Sequence, residues 1–235
     1  MHYKRKFVRF LLDSGALTFG DFTQKNGRKS PYMIDTARLD TGVLLSRMGS
    51  FFARSIHEKM EMDVVPWETT ILFGLACKGV PLATAASVAM AAAFELDFGC
   101  SFNRKGSMCM EDIFVGRKPG KGDRVIIVDD IMTSGTALRE TIDLFSEYAP
   151  EAEIVGAVIA VDRKEHGRDR RLSAAAEAQY ELGIPIFSLI DIDEILLVLK
   201  SGEFERENRN RVKTALPTAR QIVAVEDYLS KSRAS

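Results

Sequence analysis

The sequence predicts an α/β protein built on a mainly parallel sheet flanked by helices, and three observations point that way. Val125-Ile-Ile-Val128 is an unbroken β-branched run, the pattern of a strand covered on both faces, which in soluble proteins belongs to parallel sheets. Short apolar runs alternate with helical ones along the chain, the rhythm of βα units. Residues 80–94 are mostly alanine and apolar, but Glu95 and Asp97 follow at once. The run is too short for a bilayer, which needs about 20 apolar residues, and suits a helix packed closely against a sheet.

Taken in order, residues 7–12 read as an amphipathic helix with Phe7, Phe10 and Leu11 inward. Arg9 interrupts the run and Asp13 ends it, so it lacks the apolar centre of a signal peptide. A strand is expected at 71–74 and a helix at 80–95. The polar, glycine-bearing stretch 106–121 reads as a mobile loop. A strand at 124–129 leads to a helix at 137–148 whose apolar face is Leu138, Ile142 and Phe145. Strands follow at 154–162 and 184–190. The last assigned helix, 192–200, has Asp191 as N-cap and Glu194 three residues later, a capping box. No repeat or low-complexity segment divides the chain. One domain, 1–235, is expected: a core of about 63–165, and a small hood formed by about 1–40 and the C-terminal elements.

Composition excludes whole classes of partner. With 32 basic and 33 acidic residues the net charge is −1, so no general attraction to nucleic acid or to an anionic membrane is expected, and anion recognition must be local. Cys77, Cys100 and Cys109 show neither zinc-site nor disulfide spacing. A reducing cytoplasm is the simplest compartment.

The chemistry concentrates at strand ends. Asp129 and Asp130 close the 124–129 strand, and Thr133-Ser-Gly-Thr136 with Ala137 opens the next helix. A helix start offers unpartnered N–H groups and a favourable dipole to a phosphate. An acidic cap before a helix explains one aspartate, but not the pair plus the small-residue loop. Phe73-Gly-Leu-Ala-Cys-Lys-Gly-Val-Pro-Leu-Ala83 is a second strand-to-helix turn, with Lys78 set among tight-turning residues. Phe19-Gly-Asp-Phe-Thr-Gln-Lys-Asn-Gly-Arg-Lys-Ser-Pro-Tyr32, containing Lys25, taken alone is a hairpin or a solvated loop. Val161-Asp-Arg-Lys-Glu-His-Gly-Arg168 taken alone is a basic turn after a strand, with His166 exposed in it.

Together these motifs resemble the type I phosphoribosyltransferases, and more narrowly the orotate phosphoribosyltransferases. Two hydrophobic residues, two acids, two variable positions and Thr-Ser-Gly-Thr match the phosphoribosyl diphosphate (PRPP) signature. Gly-x-Ala-x-Lys-Gly-x-Pro at 74–81 matches the pyrophosphate loop. The resemblance runs from Lys4 to about Lys200 and implies the type I phosphoribosyltransferase fold with its hood. It implies transfer of the 5-phosphoribosyl group from PRPP to orotate, giving orotidine 5′-monophosphate and pyrophosphate in pyrimidine synthesis. The catalytic residues it implies are Lys25, Lys78, Asp129 and Asp130. PRPP would be bound by Lys78, Arg104, Lys105, Asp129, Asp130, Thr133, Ser134, Gly135, Thr136 and Ala137. Orotate would be bound by Lys25, Thr133 and Arg163, with Met33 and Ile34 where many relatives place aromatic residues. Arginine suits a carboxylate because its planar fork donates two parallel hydrogen bonds. Mg²⁺ would arrive on PRPP with no direct protein ligand. Arg104 and Lys105 would complete the partner's site, which implies a homodimer with shared active sites.

The chain departs from the family pattern after Phe102-Asn-Arg-Lys105. Relatives carry a Lys-Asp-His-Gly-Glu-Gly loop there, whereas residues 106–114 hold neither lysine nor histidine. Slow turnover with PRPP binding preserved is the expectation. The alternatives are a PRPP-dependent transferase for another base, or a catalytically weakened homologue that binds PRPP or a nucleotide. The stretch 64–70, with the only tryptophan, Trp67, carries no recognisable motif.

Overall fold

The structure, a computed structural model, describes residues 2–24, 27–104, 113–132, 135–167, 172–202, 204 and 216–234. The chain divides into two compact units, 1–40 with 190–235, and 41–189.

The larger unit is built on a six-stranded sheet in the order β5-β4-β3-β6-β7-β8. Its strands are β3 (Ile71–Gly74), β4 (Gly99–Asn103), β5 (Phe114–Gly116), β6 (Arg124–Met132), β7 (Glu153–Asp162) and β8 (Ile186–Asp191). β3 runs parallel to β4 and β6, and β6 parallel to β7, while β5 is antiparallel to β4. Ile71, Leu72, Phe73, Val125, Ile126 and Ile127 are at most 1% exposed, so alternate residues on both faces are buried. The helix α3 (Gly79–Phe94) packs on β3, β4 and β6, and α2 (Gly42–Glu61) packs on α3. α2 buries Met48, Phe52, Ile56 and Met60, a stripe at helical spacing. The helix α4 (Thr136–Tyr148) contributes Leu138 and Phe145 to the core cluster that holds Phe73 and Ile127. The Phe145 ring meets Phe73 edge-on at 5.0 Å and Phe114 at 5.2 Å. Each such ring contributes about 1.5–3 kcal/mol through burial. The helix α5 (Ala174–Leu182), N-capped by the Ser173 side chain, follows β7.

At the amino end of the sheet Asp123, just ahead of β6, is a structural acid. Its carboxylate accepts from the Thr70 hydroxyl at 2.9 Å, the Gly120 N–H at 3.0 Å and Arg117 Nη2 at 2.6 Å. Burial pushes this carboxyl up, but those donors outweigh it and hold it below the ordinary value. Arg117 is therefore anchored at the end of the sheet opposite the strand-end acids. Trp67 meets the His57 ring edge-on at 5.6 Å, and His57 stacks on Phe94 at 4.0 Å. The 64–70 stretch thus packs beside α2 and α3.

The smaller unit contains α1 (His2–Asp13), the antiparallel hairpin β1 (Leu17–Thr23) and β2 (Lys29–Ile34), α6 (Ile192–Lys200) and a last helix, Ala219–Ala234. Phe7, Phe10 and Leu11 are fully buried. The capping box of Asp191 and Glu194 is formed, and Lys4 pairs with Glu194, tying α1 to α6. The last helix packs on β2, with Tyr228 edge-on to Tyr32 at 6.2 Å and Gln221 donating to the Phe19 carbonyl at 3.2 Å. No described helix is long and apolar enough to cross a membrane.

Two boundaries differ from the sequence reading. The 106–121 segment is not one loop, because β5 lies within it, paired to β4 through Ser101↔Gly116 and Asn103↔Phe114. β6 also runs past Asp129 to Met132, since its ladder with β7 continues through Ile131↔Val161 and Met132↔Asp162. The acids are thus fixed by strand pairing instead of lying in a loop.

Candidate active site

Asp129 and Asp130 are adjacent on β6, and their carboxyl groups lie close enough to act on one another. Each carboxylate also accepts from the next backbone N–H, Asp130 N at 2.8 Å and Ile131 N at 2.8 Å. Asp130 is 7% exposed. Burial and the neighbouring Asp130 carboxylate push the Asp129 carboxyl from an ordinary 3.8 up to about 7, against which Lys78 pulls only in part. A desolvated carboxyl beside a second acid resists ionisation, which is the situation of Asp129.

The β3–α3 turn supplies the cation. Leu75 N donates to Val128 O at 3.0 Å and Gly79 N to Leu75 O at 2.8 Å, which folds the loop onto the end of β6. Glycine is required at 79, since a Cβ there would lie 2.3 Å from the Val128 carbonyl oxygen. This tight approach brings Lys78 Nζ to 3.1 Å from Asp130 Oδ2. Lys78 remains half-exposed, so it joins a buried acid to solvent.

Beside the acids, the start of α4 is opened by Gly135 at φ 69°, a left-handed turn that glycine adopts without strain. A cavity of about 270 Å³ lies between the end of β6 and α4, lined by Asp129, Ile131, Gly135, Thr136, Ala137 and Leu75 among others. Its lining includes two acids, Asp129 and Glu140, and the backbone of the α4 start, a combination that suits the hydroxyls and phosphate of a phosphorylated sugar.

Arg163 follows β7 directly, one residue beyond the Met132↔Asp162 pair, so the sheet sets it at the same end as the acids. Its Nη2 lies 2.7 Å from Glu165 Oε1, with side chains 9% and 7% exposed. The turn is built by Asp162 Oδ1 accepting from Lys164 N at 2.8 Å and by Lys164 at φ 49°. His166 is not the exposed turn residue that the sequence suggests. The chain doubles back, with Ala174 N donating to Glu165 O and Gly167 N to Leu172 O, each at 3.0 Å, so that His166 pairs with Ser173. Its Nε2 is buried and finds no hydrogen-bond partner among the described residues.

The structure thus brings together Lys78, Asp129, Asp130, Gly135, Thr136 and Ala137 directly, with Arg163 at the same sheet end. Arg104 sits at the exit of β4, exposed, with its N–H donating to Ile113 O at 2.9 Å. Met33 and Ile34 lie on opposite faces of β2: Ile34 is 6% exposed on the face of Tyr32, and Met33 is half-buried on the other. Lys25, Lys105, Thr133, Ser134 and residues 106–112 lie outside the described residues. Sequence reasoning missed Glu165, and with reason: the Arg-x-Glu pair closes over a turn in which Asp162 accepts from the Lys164 N–H and Lys164 takes a positive φ. Among the described residues no group of three His, Cys, Asp or Glu side chains is placed to hold a metal ion.

Comparison with known proteins points the same way. Residues 49–176 match the model of the phosphoribosyl transferase domain. The chain is 38% identical over 192 residues to the orotate phosphoribosyltransferase of Bifidobacterium adolescentis, covering 81% of this chain and 83% of that one. It is 39% identical over 204 residues to that of Actinobacillus pleuropneumoniae serotype 5b, covering 86% and 90%. The crystal structure of orotate phosphoribosyltransferase from Francisella tularensis superposes with a TM-score of 0.75 at 30% identity, over 96% of this chain and 98% of that one. With its strand-end acids, its lysine turn and near-full-length similarity on both counts, the chain belongs to the orotate phosphoribosyltransferase family.

Proposed function

We propose that this chain transfers the 5-phosphoribosyl group of PRPP to N1 of orotate, the reaction of its family in pyrimidine nucleotide synthesis, and that it does so at the carboxyl end of β6. The observation that supports this most is one cavity bounded by Asp129, by Gly135 to Ala137 of the α4 start, and by the turn that carries Lys78.

The ribose 2′- and 3′-hydroxyls donate to Asp129 and Asp130, which fixes the anomeric carbon in place for attack. The 5′-phosphate occupies the start of α4, where Gly135, Thr136, Ala137 and, from the sequence match, Thr133 and Ser134 supply donors. As the bond to pyrophosphate breaks, negative charge gathers on the leaving group and positive charge on the sugar. Lys78 exchanges Asp130 for the diphosphate and stabilises the first, while the acid pair stabilises the second. No residue need act as a nucleophile. A donor set of two carboxylates, one already held by Lys78, is not a resident metal cage but fits a cation that enters bound to the substrate. Mg²⁺ carried on PRPP supplies charge neutralisation of the diphosphate.

Arg163 recognises the orotate carboxylate, and Lys25 and Met33 serve the base side, the sulfur of Met33 being able to pack on a π face. Arg104 and Lys105 complete a second subunit's pyrophosphate site in a homodimer. Sedimentation at micromolar concentration then shows a dimer, and a fully active monomer would contradict it. A reducing cytoplasm suits the free thiols of Cys77 and Cys100.

One observation favours the weakened-homologue reading: the 106–114 segment lacks the family's loop lysine and histidine. A coupled assay of orotate consumption decides. The proposal expects consumption that requires both PRPP and Mg²⁺. Tight PRPP binding without consumption supports the weakened homologue, and preference for a purine over orotate rejects the base assignment.

A further inference from the structure

We infer that Glu165 is a positioning residue for base recognition, holding the Arg163 guanidinium in the orientation that an anionic, carboxylate-bearing base requires. This rests on the reading of Arg163 as the orotate arginine. The two side chains form an ion pair at 2.7 Å, and both are at least nine-tenths buried. A guanidinium in such surroundings needs an acceptor placed to meet its N–H groups, because a buried donor left unmet is costly. Glu165 supplies it from within the chain, before any ligand arrives.

The partner is also fixed in place. The Glu165 carbonyl accepts from Ala174 N at 3.0 Å, the first residue of α5, and the Lys164 N–H is held by Asp162. The carboxylate therefore approaches Arg163 from a backbone that is clamped on both sides. Glu177 of α5, 5% exposed, lies against the Gly167 backbone two residues beyond Glu165. A guanidinium has five N–H donors in a rigid fork. Binding one edge to Glu165 sets the plane of the whole group, and with it the plane in which a second carboxylate is met.

Positioning and simple neutralisation make different demands. Neutralisation needs any nearby negative charge, whereas positioning needs an acceptor oxygen at one place. Glutamine keeps the length and an acceptor oxygen without the charge, and aspartate keeps the charge but falls short.

The test measures orotate and PRPP KM, kcat and Tm for Glu165→Gln, Glu165→Asp and Glu165→Ala beside Arg163→Ala, all in the full chain. Glu165→Ala and Glu165→Asp are expected to raise the orotate KM about tenfold or more, with the PRPP KM within twofold and Glu165→Gln restored to within about threefold of wild type. If Arg163→Ala leaves the orotate KM unchanged, the reading of Arg163 fails and this inference with it. If Arg163→Ala raises the orotate KM while Glu165→Ala does not, Glu165 alone is misassigned. Parallel rises in both KM values with a falling Tm would mark Glu165 as merely structural and overturn the inference. Should Glu165→Ala fail to fold, Glu165→Gln against Glu165→Asp decides: an aspartate as good as or better than glutamine rejects positioning.

Discussion

Asp123 lies just ahead of β6 and Asp129 in its carboxyl-terminal half, and their surroundings drive them in opposite directions. Asp123 is met by a hydroxyl, a backbone N–H and a guanidinium, so its charged form is favoured. Asp129 is met by burial and a second carboxylate, and its carboxyl is pushed up to about 7. The first arrangement is satisfied within the chain and ties β6 to the residues around Thr70 and Arg117. The second accepts the Asp130 N–H beside a like charge, and the hydroxyl groups of a bound sugar would add donors to it. A buried acid with all its partners is a support, whereas one held beside a like charge is poised for a ligand.

The comparison predicts that changes at the carboxyl end alter turnover without lowering stability near neutral pH, and that changes at the amino end lower stability and leave turnover alone. The largest effect is expected from grafting a Lys-Asp-His-Gly segment between Lys105 and Val115, where the chain leaves the carboxyl end of β4. If a loop lysine acts like one oxyanion-hole donor, the graft raises kcat by roughly 10²–10³, with Tm unchanged. A natural chain already turning over at about 1–10³ s⁻¹, with nothing gained from the graft, would show that the missing residues do not limit it. Arg117 offers no substitute, because Asp123 holds it at the other end of the sheet.

At the amino end, Asp123→Ala removes the acceptor of three donors. A loss of about 1–3 kcal/mol is expected, which for a chain of this size lowers Tm by roughly 2–12 °C. Stopped-time assays on folded protein should return an unchanged kcat/KM. A loss of activity without a loss of stability would erase the distinction between the two acids.

The pH dependence of stability separates the two acids by sign. The folded Asp129 carboxyl titrates near 7 against an ordinary 3.8, so it binds its proton more tightly when folded. Its contribution is full below about pH 4 and is lost as pH rises toward about 7, at no more than about 1.4 kcal/mol per pH unit. Asp123, held below its ordinary value, contributes above that value and loses its contribution as pH falls through the folded pKa. Denaturant titrations between pH 4 and 8 should show Asp129→Asn flattening the first slope. Equal slopes in wild type and variant would remove the buried, like-charged account of the pair.

Much of this frame is legible in the sequence, and the parts that are not share a cause. β3, β6 and β7 announce themselves by apolar runs, and α6 by its capping box. α1 shows its buried face in Phe7, Phe10 and Leu11. β4 does not, because Ser101 and Asn103 interrupt its apolar pattern, and its burial comes from neighbours distant in the chain. β5 spans only Phe114–Gly116 and exists through its ladder to β4. In the site, the acid pair and Lys78 stand in contiguous motifs. The Arg163–Glu165 pair and the buried His166 Nε2 depend on the turn at Lys164 and on pairing with residues 172–174, which no local spacing encodes.

The central claim is that the acid pair ending β6 holds the ribose of PRPP. Titration calorimetry of PRPP in the presence of Mg²⁺, on wild type and on the Asp129→Asn, Asp130→Asn double variant, tests it most directly. Loss of two charge-assisted hydrogen bonds at about 1.5–3 kcal/mol each predicts affinity weakened by roughly 10²–10⁴, with the thermal transition of the double variant no lower than that of wild type. Equal PRPP affinity in the two proteins would contradict the assignment.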